Sequence, residues 1–143
     1  MKFPENVNAV IVCGGISFRS RDYVFSVLNF HHALTPIGLI IQGGSAGAYA
    51  LAAEWAKSHD IPCIEFQADW NRYGESAGPK RNKEMLEYLM KGTATNFVIV
   101  FPGAAGMDDM IMQAKSKGLY VWSWEDDVKM FHSSVVSALN RRW

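Results

Sequence analysis

A chain of 143 residues, 49% of them hydrophobic, is the size of one domain with a full core. Its 14 Lys+Arg balance 14 Asp+Glu, and charged residues make up 20%, which excludes a disordered polyelectrolyte and a basic module for bulk nucleic acid. The longest apolar stretch, Ile37-Gly38-Leu39-Ile40-Ile41, falls far short of the ~20 residues that span a bilayer, and Met1-Lys2-Phe3-Pro4-Glu5-Asn6 is no signal peptide, so a cytoplasmic protein without membrane contact is expected.

Short apolar runs alternate with segments of helical period, with no repeat or low-complexity tract. That alternation predicts a parallel α/β sheet with helices on both faces, as one domain over 1–143. The first run is Ala9 to Cys13. Val24, Val27 and Leu28 then mark one face of a helix that ends at His31-His32, and Leu39 to Gln42 is the second run. Ala48, Leu51, Ala52, Trp55 and Ala56 fall at i, i+3, i+4, i+7 and i+8, a stripe on a helix from about Ala46 to Ser58. The third run is Ile61 to Phe66. Met85, Leu86, Leu89 and Met90 mark the next helix, Phe97 to Phe101 the fourth run, and Met107, Met110, Ile111 and Ala114 another helix. Leu119 to Trp122 and a C-terminal helix on Val128, Phe131, Val135 and Leu139 complete the pattern. Most strands are continuous apolar runs, which predicts burial on both faces. Cys13 and Cys63 lie in separate runs without a CxxC or His/Cys spacing; they read as small buried hydrophobes, and neither a disulfide nor a metal is expected.

Three strand ends run into turns of glycine and other small residues: Cys13-Gly14-Gly15, Gln42-Gly43-Gly44-Ser45-Ala46-Gly47 and Phe101-Pro102-Gly103-Ala104-Ala105-Gly106. Parallel strands place all three at one sheet edge, where open α/β folds bind ligands. A glycine pair before a helix lets backbone N–H groups approach an anion, and the helix N-terminus favours negative charge. The turns at Gly43 to Gly47 and Gly103 to Gly106 therefore read as a phosphate cradle, against the plainer reading that glycine only permits a tight turn. No Gly-Lys-Ser/Thr follows either turn and the dinucleotide glycine spacing is absent, so neither a Walker loop nor a hydride-carrying NAD is indicated.

Residues 68–78 are long for a strand-to-helix connection. They offer Trp70 and Tyr73 as stacking faces and Asp69 as a carboxylate for a ribose hydroxyl; aromatic cover for the core edge is the rival reading. Pro79 suits the first helical turn that follows Gly78, and Lys80 and Arg81 there oppose the helix dipole unless a partner is present. A phosphate gripped by Arg81 is one such partner, and an ion pair to Glu75 or Glu84 is the other. Asp108 and Asp109 sit where the dipole of their helix welcomes them. His31, His32, His59 and His132 have no partner at triad or metal-ligand spacing and read as structural or solvent-facing.

Taken together, Gly14-Gly15, Gly43-Gly44-Ser45-Ala46-Gly47-Ala48, Ala68-Asp69-Trp70, Ala77-Gly78-Pro79-Lys80-Arg81-Asn82-Lys83-Glu84-Met85 and Phe101-Pro102-Gly103-Ala104-Ala105-Gly106 resemble the YspA-related branch of the SLOG superfamily, from about Ala9 to Val121. The resemblance implies a three-layer Rossmann-like sheet of about five strands. It also implies a nucleotide or phosphoribosyl ligand at the Gly-rich edge, and homo-oligomers. Two positions depart from the pattern: Tyr49 stands where an Asp is usual, and Met107 where a Thr is usual, and both changes remove polar groups. In the phosphoribohydrolase relatives an Arg and a Glu form the catalytic pair. Arg81 matches the first, but Met110 stands at the second, with Asp109 next to it and turned about 100° around the helix.

Three functions remain open at this point. The first is metal-free binding of a nucleotide-derived ligand for sensing or sequestration, with Gly14, Gly15, Gly43, Gly44, Ser45, Gly47, Gly78, Pro102, Gly103, Ala104, Ala105, Gly106 and Met107 around it. Arg81 would hold the phosphate, and Asp69, Trp70 and Asn82 would read the nucleoside. The second is N-glycosidic hydrolysis with Arg81 and a carboxylate from Asp69, Asp109 or Glu75, and the third is a noncatalytic assembly module.

Overall fold

The computed structural model describes residues 7–44, 46–92, 96–103 and 107–125. Strands β1 (Ala9–Cys13), β2 (Leu39–Gln42), β3 (Cys63–Glu65), β4 (Phe97–Val100) and β5 (Tyr120–Ser123) form one sheet in the order β3-β2-β1-β4-β5. Every pairing is parallel, with Ile11 opposite Ile41 on one side and Val98 on the other. Helices α1 (Arg21–Leu34) and α2 (Ala48–Ser58) pack together on one face, and α4 (Ala77–Leu89) and α5 (Met107–Ser116) on the other. Between β3 and α4 run a one-turn helix, α3 (Trp70–Tyr73), and a 3-10 turn over Gly74–Ser76. This is a three-layer Rossmann-like α/β fold. Among the described residues no helix is long and apolar enough to cross a membrane.

Alternation along the central strands builds two cores. Val10, Val12, Ile40 and Ile99 face α1 and α2 with Trp55, Leu28 and Phe101, whereas Ile11, Cys13, Ile41 and Val98 face α4 and α5 with Met85, Leu86, Leu89 and Met110. Every residue of β1, β2 and β4 is buried. The outer strands are not. β3 alternates exposed and half-buried residues, and Tyr120 opens β5 at 60% exposure, because an edge strand has one neighbour and the helices centre over the middle of the sheet. The burial on both faces expected of most strands therefore holds for the three central ones and does not extend to β3 and β5, and Cys63 on β3 is exposed rather than buried.

Element limits differ from the sequence reading where backbone geometry intervenes. The predicted third run, Ile61 to Phe66, shortens to Cys63–Glu65. Helix α2 starts at Ala48 rather than near Ala46, since its N-cap Gly47 has φ 75° and ψ −132°, outside the helical region. The long connection at 68–78 is ordered as α3 and the 3-10 turn, and the C-terminal helix on Val128 to Leu139 lies outside the described residues.

The histidines at the end of α1 are packing elements. His31 is buried, its Nδ1–H donates to the Val27 carbonyl at 2.9 Å, and its ring lies 5.4 Å from Phe97 and from Trp122. His32 Nδ1 accepts from the Ile37 N–H at 2.9 Å, which requires the neutral Nε2–H tautomer. Burial lowers the pKa of His31 despite its hydrogen bond to Val27, which acts the other way.

Candidate ligand-binding site

From β1 the chain moves to β2 and β3 on one side, then returns to β4 on the other, so the crevice between the C-terminal ends of β1 and β4 is the topological switch point. The turns around it are joined by backbone contacts. Gly15 N–H donates to the Pro102 carbonyl at 3.0 Å, and its own carbonyl accepts from the N–H groups of Phe18 at 3.1 Å and Ala48 at 3.3 Å. Gly47 and Gly103 close in on the same residue: a Cβ on Gly47 would collide with the Gly15 carbonyl oxygen, and one on Gly103 with the Gly15 Cα. Both have positive φ, 75° and 140°. Glycine is required here for close approach, whatever else the turns do.

An open cavity of about 340 Å³ occupies the switch point, lined by Gly15, Ile16, Ser17, Phe18, Pro102 and Gly103. Its size is near the lower end of small-molecule sites, and these lining residues carry one hydroxyl and no charge. Phe18 is anchored by rings of the first core, 6.0 Å from Phe101 and 6.2 Å from Tyr23, while Ile16 stands 55% exposed beside the opening. Ile16, Ser17 and Phe18 were not singled out from the sequence. The signal for them was the length of residues 14–20, which only just exceeds the usual strand-to-helix connection.

The cationic part of the edge lies toward α4. Arg81 donates from Nη1 to the Gly43 carbonyl at 3.3 Å and from Nη2 to the Tyr49 hydroxyl at 3.5 Å, with its Cζ 5.5 Å from the Tyr49 ring centre. Its Nε is buried and meets no acceptor among the described residues. The alternative ion pair to Glu75 or Glu84 does not form among the described residues. Tyr49, expected to remove a polar group from the site, instead supplies one. Tyr49 and Cys13 lie beside Arg81 in the second core. Burial pushes the Cys13 thiol up to about 12, partly offset by the Arg81 charge. Burial, followed by the neighbouring Cys13, likewise pushes the Tyr49 phenol up to about 12 against the pull of Arg81. Both groups are neutral at ordinary pH.

The Gly43 turn is itself braced. Gly44 N–H donates to Gln42 Oε1 at 2.6 Å, and the Glu65 and Gln67 side chains fill the space that a Cβ on Gly44 would need. Within the predicted phosphate cradle at Gly43 to Gly47 the Gly44 N–H thus already has a protein acceptor, as does the Ala48 N–H just beyond it, which Gly15 engages.

The remaining predicted residues separate into three groups. Asp69 N-caps α3, its Oδ1 accepting from Arg72 N–H at 3.1 Å. Trp70 is 56% exposed and lies over Gly78, while Tyr73 carries the Lys80 ammonium 4.5 Å from its ring centre. Asn82, 2% exposed, donates to Asp109 Oδ2 at 3.1 Å, and Gln113 donates to the same oxygen at 2.6 Å, so these residues tie α4 to α5. Met110, 1% exposed, is core, and Met107 opens α5. Ser45, Ala104, Ala105 and Gly106 lie outside the described residues.

With this geometry in view, the sequence model of the YspA, cpYpsA-related SLOG family matches residues 8–73, the span from the start of β1 to the end of α3. Over that span the chain is similar to the YspA-related SLOG family. The SLOG match takes in Gly14-Gly15, the Ile16 to Phe18 wall, the Gly43 turn, Tyr49 and Asp69-Trp70; Arg81 and the turn after β4 lie beyond it. The chain is also similar to the Gene 61 protein of Mycobacterium phage D29, with 26% identity over 125 residues that cover 82% of this chain and 96% of that protein.

Proposed function

We propose that this SLOG-like domain binds a nucleotide-derived, phosphate-bearing ligand across the C-terminal sheet edge, for sensing or sequestration. The observation that carries this reading is the pairing of two unlike surfaces at the switch point. One is an uncharged cavity at Gly15 to Phe18 and Pro102-Gly103; the other is an Arg81 guanidinium without a carboxylate partner among the described residues. Cys13, which feels the Arg81 charge, is three residues from Ile16, so chain length keeps the Cα atoms of Cys13 and Ile16 within about 11 Å of each other. A nucleoside phosphate has the matching polarity: a flat neutral group at one end and an anion at the other. Trp70 supplies an exposed face near the Gly78 end of α4.

Hydrolysis is the less supported use of this site. A catalytic carboxylate must reach the glycosidic centre or its water. Asp109 Oδ2 already accepts from Asn82 and Gln113, and Asp69 caps α3.

A thermal-shift screen against nucleoside monophosphates, ADP-ribose and its cyclic forms, NAD and cyclic nucleotides tests the reading, with chromatography of each mixture afterwards. A ligand at a hundredfold excess over its Kd adds about 2.7 kcal/mol of stability. Recovery of the ligand intact supports binding, recovery as free base and sugar phosphate establishes hydrolysis, and no shift with any member of the panel refutes the proposal.

A further inference from the structure

Tyr49 occupies an unusual position for a residue of its helix. The body of α2 packs on the face shared with α1, yet the Tyr49 side chain belongs to the opposite core, with Cys13 and Met85, so it crosses over the C-terminal edge of the sheet. It is 6% exposed and meets Arg81 through both ring and hydroxyl. The other groups at the guanidinium are the Gly43 carbonyl and the Cys13 thiol, and the Glu65 carboxylate is turned toward Gln67, whose Nε2 donates to it at 3.3 Å. Among the described residues, the groups that orient Arg81 are therefore all neutral. A carboxylate in the place of the phenol would orient the same guanidinium but cancel its charge, leaving little attraction for an incoming anion.

We propose that Tyr49 is a positioning residue that holds Arg81 against the Gly43 turn while leaving its charge uncompensated, so that this side of the site selects phosphomonoester dianions over neutral ligands. The inference rests on the functional reading above and adds to it the device that sets charge selectivity. Tyr49 itself stays uncharged, because the buried phenol resists ionisation. The Arg81 Nε–H, buried and without an acceptor among the described residues, reports on the arrangement, since it exchanges slowly only while Tyr49 and Gly43 hold the guanidinium in place.

The test uses side-chain NMR of the Arg81 Nε–H together with calorimetry, on the full chain, with inorganic phosphate, ribose 5-phosphate and adenosine as probes. Inorganic phosphate and ribose 5-phosphate should shift the Arg81 resonance in the wild type. Tyr49→Asp should weaken ribose 5-phosphate at least as much as Arg81→Ala does, roughly a hundredfold for a charge-assisted contact, and leave any adenosine affinity unchanged. Tyr49→Phe, which keeps the ring and removes the hydroxyl, should weaken ribose 5-phosphate about fivefold and speed exchange of the Arg81 Nε–H. Tyr49→Phe keeps the test open should the aspartate variant fail to fold. Ribose 5-phosphate bound equally by the wild type, Tyr49→Asp and Tyr49→Phe, but weakened by Arg81→Ala, overturns this inference and leaves the functional reading standing. A wild-type Arg81 resonance that responds to neither phosphate probe overturns both.

Discussion

At the scale of single residues, the site depends on how a few buried groups carry or avoid charge. Arg81→Ala should abolish the stabilisation by phosphate-bearing ligands in the thermal-shift assay while changing the ligand-free Tm by a degree or two, since its polar contacts among the described residues are two long hydrogen bonds and one cation–π approach. Cys13 and Tyr49 have pKa values raised from 9.0 and 10.0 to about 12. Between those limits the unfolded chain gives up protons that the folded protein keeps. Their neutral burial thus stabilises the fold fully below pH 9, and that contribution is lost as pH rises from 9 to 12. A Tm that holds from pH 7 to 9 and falls steeply above it checks this sign, and Cys13→Ala should reduce the slope. His31 works in the opposite direction: burial lowers its pKa, so the unfolded state takes up the proton first and stability declines as pH drops below 6.5. With a thiol reagent, Cys63 should react in the folded protein, more slowly than a free thiol because partial burial raises its pKa, and Cys13 only on unfolding.

Individual elements depend on where one residue lets two backbones meet. Gly47 caps α2 with positive φ and faces the Gly15 carbonyl, so Gly47→Ala brings both backbone strain and a collision. The expected loss is more than about 2 kcal/mol, read as a lowered midpoint in urea with the slope unchanged. Asp69→Ala removes the cap of the one-turn α3 and should cost about 1 kcal/mol or less, confined to that exposed segment. Faster proteolytic cleavage after Arg72, with little change in global Tm, is the expected signature. The Gly-rich turns and α4 were legible in the sequence because glycine pairs and the Pro79 to Asn82 run are local patterns. The Ile16 to Phe18 wall was less legible: the length of residues 14–20 is a weak signal, and nothing else local distinguishes an apolar loop residue facing solvent from one facing a cavity.

For the whole molecule, the sheet order decides both stability and the place of the site. Trp55 shows the stability side: fully buried under α1, it donates from Nε1 to Asn29 Oδ1 at 2.8 Å and stacks on His59 at 4.3 Å. Trp55→Ala should cost about 3–5 kcal/mol, enough to unfold a domain of ordinary stability at moderate temperature. On the functional side, β1 and β4 are neighbours although distant in sequence, which opens the crevice and brings Gly15, Pro102 and Gly103 together.

The alternation of apolar runs with helical stripes determined the fold class, the three central strands and the edge at which the glycine turns gather, because those features follow from the period of the side chains along a local stretch. Which strands lie at the border, and hence that Cys63 and Tyr120 are exposed, depended on pairing order, which local periodicity does not encode. The same holds for the partners of polar side chains. Arg81 was visible from the sequence as a cation opposed to its helix dipole, but only packing decided that it rests on the Tyr49 phenol and the Gly43 carbonyl rather than on a glutamate, and that Asn82 faces Asp109. Such choices are made among groups tens of residues apart, by which surfaces the sheet leaves facing each other.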